Sequence, residues 1–71
     1  MTVSEIKVAR TRKGLSQWQL AKRVGVSQSM MSLLERGKLI PTESQRERIL
    51  EVLKVSEKKL FDRSGLARIS H

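Results

Sequence analysis

The sequence predicts an all-α fold of five short helices, on three observations. Hydroxyl residues followed three places on by Glu or Gln recur at Thr2/Glu5, Ser16/Gln19 and Thr42/Gln45. That spacing is the capping box, in which the two side chains satisfy each other's free backbone N–H groups at a helix start. Helix breakers fall between these starts at Gly14, Gly25, Gly37 and Pro41. No run alternates Val, Thr or aromatic residues with polar ones between turn residues, so strand signals are absent.

Each element has its own justification. Helix 1 is expected over 3–13, opened by Thr2 and ended by Gly14, with Ile6 and Ala9 on one face. Helix 2, over 17–24, starts on Ser16 and carries the stripe Leu20, Ala21 and Val24. Helix 3, over 28–36, follows Ser27 and places Met31 and Leu34 together. Helix 4, over 43–53, follows Pro41 and Thr42 and carries Ile49 and Leu53. A last helix, over 57–61, follows Ser56. Leu15, Val26, Val55, Leu60 and Phe61 fall at helix junctions, where they close the core. Each stripe is narrow, so no helix is stable alone and the bundle forms cooperatively. The folded domain is expected over residues 1–62, with 63–71 a short, basic, flexible tail.

Composition narrows the function. A chain of 71 residues makes one small domain with a marginal core. So short a chain rarely encloses a substrate pocket, which argues against an enzyme. There is no cysteine, and the one histidine is His71, so neither a disulfide nor a thiolate or histidine metal site is expected. No cofactor is expected either. Fifteen Lys and Arg stand against seven Asp and Glu, a net charge of +8. That balance points to a negatively charged partner, nucleic acid before an anionic membrane. Residues 1–40 hold eight basic and two acidic side chains, so most of the excess lies there. No apolar run approaches a membrane span and no charged-then-apolar leader opens the chain, which gives a cytoplasmic expectation. Membrane-surface binding would need a basic amphipathic helix with a broad apolar face, and none of the five qualifies.

Gly25-Val26-Ser27 separates helices 2 and 3, the three-residue turn of a DNA-binding helix-turn-helix. Ala21 is small where the helices cross, and Gly25 is able to end helix 2 at positive φ. Val26 plugs the elbow and Ser27 caps the next helix.

With these residues in place, the sequence resembles the lambda-repressor-like, or XRE-type, helix-turn-helix family of phage repressors, Cro proteins and related regulators. The matching residues run from Glu5 to Phe61: Arg10, then GLSQWQLAKRVGVSQSMMSLLERGKLIP across 14–41, and LKVSEKKLF across 53–61. The resemblance implies a compact five-helix domain that binds double-stranded DNA as a homodimer. Gln17 would bond a backbone phosphate; Gln28, Ser29 and Leu33 would read the major groove; Arg36 and Lys38 would grip phosphate. Ser27 and Ser32 complete the DNA-binding set, Ser27 being both a cap and a candidate contact. Arg10 and Glu35 would pair to tie helix 1 to helix 3, and Val55, Leu60 and Phe61 would form the dimer contact.

Plainer readings stand beside these. Gln17 and Gln28 also fit solvated surface polars, and Arg36 and Lys38 an ordinary loop. Met30, Met31 and Leu33 cannot all face inward, so Met30 or Leu33 is exposed, and Leu33 is assigned to the groove. Trp18 sits where the family is polar, leaving it the DNA backbone, a neighbouring helix or a protein contact. The charges from Glu43 to Glu51 read as a solvated helical face. Three departures bear on helix 4: Arg46 for an apolar anchor, Leu50 for alanine, and Lys54 for the glycine that follows.

The function expected is a transcriptional repressor on a near-palindromic operator, bacterial or phage-encoded. Activating relatives present acids on helix 2, whereas Trp18, Gln19, Lys22 and Arg23 stand here. The alternative is an antitoxin of this fold that binds a small toxin protein and its own promoter.

Overall fold

Ser16 and Thr42 each open a helix with the reciprocal bonding their sequence spacing requires. The Gln19 amide N–H donates to Ser16 Oγ at 3.1 Å, and the Ser16 N–H to Gln19 Oε1 at 2.8 Å. Gln45 and Thr42 repeat the exchange at 3.1 and 2.9 Å. Ser4 and Ser27 cap with the hydroxyl alone, accepting from Lys7 and Met30. In the computed structural model, which describes residues 3–70, these caps start α1 (Glu5–Arg12), α2 (Gln17–Val24), α3 (Gln28–Glu35) and α4 (Glu43–Leu53). A four-residue α5 (Glu57–Leu60) follows. The first helix thus starts on Ser4, and the expected Thr2 cap lies outside the described residues.

Gly25 ends α2 at φ 88° and turns the chain into α3. The apolar stripes meet as their spacing requires: Ile6, Leu20, Met31, Leu34, Ile49, Leu53 and Leu60 are all but fully buried. Burying each such side chain stabilises the fold by roughly 1.5–3 kcal/mol, enough only when all five helices assemble together.

The tail departs from the expectation of a flexible segment. β1 (Val3–Ser4) pairs antiparallel with β2 (Ile69–Ser70), with Ser4 opposite Ile69 and Val3 opposite Ser70. Ala67 is buried and bridges to Phe61. The reversal is made at Asp62, whose carboxylate accepts from the Ser64 N–H at 2.8 Å, Ser64 Oγ at 2.6 Å and the Leu66 N–H at 3.1 Å. The ordered structure therefore runs through residue 70, held by the pairing with β1, the Phe61–Ala67 bridge and the buried Ala67. The two strands escaped the sequence reading because two residues carry no period.

The same burial corrects the expected dimer contact. Leu60 and Phe61 are 1% and 3% exposed within the protomer and have no surface to offer a second one. Val55, half-buried at the α4–α5 junction, remains available.

The three departures in helix 4 have structural counterparts. The Arg46 guanidinium reaches Glu57 at 3.0 Å and ties α4 to α5 by charge instead of apolar contact. Leu50 packs against the core from its half-buried position. Lys54 takes φ 56°, the left-handed conformation that a side chain with a Cβ resists. Lys54→Gly should therefore raise stability in urea unfolding by about 0.5–1 kcal/mol, relief of the Cβ clash outweighing glycine's entropy cost.

Hydrogen bonds from Ser64, then from the Leu66 and Ser64 main chain, hold the Asp62 carboxyl below its ordinary value of 3.8. A lowered folded pKa means that the stabilising contribution is complete above that value and is lost as pH falls through the folded one. Protection of the Ser64 and Leu66 amides, measured against the intrinsic exchange rate at each pH, should accordingly hold at neutral and mildly acidic pH and fall only below about pH 3.8.

Candidate nucleic-acid interface

One helix face presents the residues expected to meet DNA. α3 turns Met31, Leu34 and Glu35 into the protein. On the opposite side Gln28, Ser29, Leu33 and Arg36 are exposed and Ser32 is half-buried. Helical spacing alone dictates this division: 28, 29, 32, 33 and 36 recur at three and four residues. Together with Gln17 these side chains line one open depression. Met30 turns the other way, where its sulfur accepts from Gln45 Nε2 of α4 at 3.7 Å. Leu33, 38% exposed, is the apolar residue left on the outer face.

Behind that face lies a buried joint. Arg10 Nε donates to Glu35 Oε2 at 2.6 Å and an Arg10 terminal nitrogen to Oε1 at 3.4 Å. The other terminal nitrogen donates to the Leu15 carbonyl at 2.8 Å, fixing the loop between α1 and α2. Gln17 Nε2 also donates to Glu35 Oε1, at 3.3 Å. Arg10 and Glu35 are 8% and 3% exposed, so the ion pair itself is largely withdrawn from water. One carboxylate of α3 therefore anchors α1, and also holds the Gln17 amide at the rim of the exposed face.

A second depression adjoins the first through Gln17, Ser32 and Arg36 and extends to Lys7, Lys38, Ser4 and Ile69. Lys7, Arg36 and Lys38 give this flank three exposed cations around donors suited to a phosphate backbone. Lys7 and Ile69 were absent from the sequence-predicted set. The signal for Lys7 was available, since it lies one turn before Arg10 on α1. None was available for Ile69, which arrives only because the tail folds back.

Ser27 is exposed, and its hydroxyl is engaged as the α3 cap. Trp18 is 56% exposed, with the Lys22 ammonium 5.3 Å from its ring centre. More than half of the indole thus lies free of the neighbouring helices.

The comparisons agree with this geometry. A helix-turn-helix domain family matches residues 3–60. The chain belongs to that family. A further similarity, 33% identity over 70 residues, is to the ImmF control region 10 kDa protein of Bacillus phage phi105, covering 89% of this chain and 78% of that protein. No solved structure matches. As a helix-turn-helix domain the chain binds DNA, and its family acts by binding rather than by catalysis. Among the described residues no helix is long and apolar enough to cross a membrane.

The helix-turn-helix joint makes a direct prediction. Arg10→Met should destabilise the domain by about 3 kcal/mol, because it strands the Glu35 carboxylate in the interior. Replacing Glu35 by leucine as well should recover much of that loss. A denaturant double-mutant cycle measures both, and purely additive effects would mean that the pair is energetically idle.

Proposed function

We propose that this helix-turn-helix protein is a transcriptional repressor that binds a near-palindromic operator as a homodimer. Each protomer lays α3 in a major groove, the two grooves about 34 Å apart on one side of the duplex. The observation that carries the reading is the single outward face of α3, with Gln28 and Ser29 in its first turn and Leu33 one turn on. Gln28 pairs with adenine, because its amide both accepts from N6 and donates to N7. Ser29 discriminates more weakly at the neighbouring base pair, and Leu33 lies against a thymine methyl. Gln17, Arg36 and Lys38 hold phosphates on either side and set the register of the helix.

The protomer contact is proposed at the α4–α5 junction around Val55, without Leu60 and Phe61. What supports repression over activation is the outward face of α2, where Trp18, Gln19, Lys22 and Arg23 are exposed and no carboxylate stands among them. Occupation of a promoter that polymerase needs is then the whole mechanism.

The test is competition binding against operators altered one symmetric base pair at a time, on a site enriched from random duplexes. Gln28→Ala should lose about 1–3 kcal/mol of discrimination per half-site at one symmetric pair of positions and leave other positions unchanged. An even loss across all operators would make Gln28 a positioning residue and overturn its assignment. In the same assay wild type should show a log–log salt slope of roughly −7, if a dimer neutralises about eight phosphates.

A further inference from the structure

We propose that the C-terminal strand is a working part of the DNA-binding surface, with Ala67 and Ile69 positioning the Arg36–Lys38 loop from behind. The proposal rests on the reading of that loop as a phosphate grip.

Gly37, at the centre of the loop, takes φ 71° and faces the strand. A Cβ placed there would lie 3.2 Å from the Ala67 carbonyl oxygen and 3.7 Å from Ile69 Cγ1. The loop main chain therefore rests directly on the C-terminal segment, with little room for a side chain between them. On its other side the loop is held from α3, by the Gly37 N–H to the Leu34 carbonyl at 3.2 Å and the Lys38 N–H to the Leu33 carbonyl at 3.0 Å. Those bonds fix where the loop leaves the helix, and the strand supplies the opposing wall. Ile69 shares a depression with Lys7, Arg36 and Lys38, so the wall stands within the basic flank itself.

The strand is fixed well enough to serve. The Glu5 N–H donates to the Arg68 carbonyl at 3.0 Å, and the Arg68 N–H to the Leu60 carbonyl at 2.8 Å. Ser70 Oγ donates to Glu5 Oε2 at 2.6 Å. Ala67, 3% exposed, anchors it in the core. One short segment thus links α1, α5 and the loop after the recognition helix, and its release would free Lys38 without disturbing the outward face of α3. The strand acts on the phosphate contacts and not on base reading.

The experiment measures the log–log salt slope for a short duplex of mixed sequence with the full chain carrying Ile69→Ala, Ile69→Val or Lys38→Ala. Thermal melts confine the comparison to folded protein. Ile69→Ala should lower the slope by about one per protomer, as should Lys38→Ala, while Ile69→Val should restore it. Amide exchange at Gly37 and Lys38 should quicken in Ile69→Ala alone of the two Ile69 variants. A protein merely less stable would bind in proportion to its folded fraction with an unaltered slope. If Ile69→Ala does not fold, Ser70→Ala, which frees the strand end from Glu5, is read in the same way. An unchanged slope in the strand variants with a lowered one in Lys38→Ala overturns the strand's role alone. An unchanged slope in Lys38→Ala overturns the phosphate loop itself.

Discussion

A carboxylate buried at the end of a helix cannot be left alone, and Glu35 dictates much of what surrounds it. An ionised group removed from water costs several kcal/mol unless opposite charge and hydrogen bonds meet it. Arg10 meets it with two nitrogens from α1, and the remaining terminal nitrogen of the same guanidinium captures the Leu15 carbonyl. Gln17 brings a third donor to the carboxylate. The geometry of the pair thereby fixes α1, the start of α2 and the end of α3 relative to one another. Apolar contacts alone would tolerate sliding between helices this short; a forked guanidinium on a carboxylate does not.

The consequence is felt on the other side of α3. With Glu35 facing inward, helical geometry leaves Gln28, Ser29, Ser32, Leu33 and Arg36 on the outer side, and Gln17 at their rim. Each of the helices α1 to α3 has only eight residues and contributes little stability of its own. Under the proposed reading, the rigidity needed to present side chains to a groove comes from the joint, the Gly25 turn and the C-terminal segment behind Gly37. α4 and α5 complete the core with the apolar side chains of Ile49, Leu53 and Leu60, and a strained Lys54 lies between them.

Most of this was legible in the sequence because the chain marks its helix starts. Ser16, Ser27 and Thr42 announce helices by chemistry that acts within four residues, so a linear reading finds them. The positions of Arg10 and Glu35, by contrast, were given by resemblance, since 25 residues of separation carry no local signal. The tail was misread for a related reason. Asp62 and Ser64 are turn residues whose hydrogen bonds reverse the chain, but the strand they lead to is stabilised by partners near the other terminus. Basic, Gly- and Ser-containing composition looked like disorder; the burial of Ala67 and Phe61 outweighed it. Leu60 and Phe61 were read both as core and as dimer contact, and their burial leaves only the first. That Met30 or Leu33 must face outward followed from spacing, since Met31 and Leu34 fill the inward side of the same helix, and Leu33 is the exposed one.

The dependence of DNA binding on the Glu35 joint is most directly tested in a protein that keeps its fold and loses the joint. The double variant Arg10→Met, Glu35→Leu has no buried charge to strand, and it deprives Gln17 of its acceptor. Its affinity for the selected operator, measured at the salt used for wild type and corrected to folded protein, should fall clearly below that of wild type. Full operator affinity in the folded double variant would contradict the claim that this joint sets the DNA-binding face.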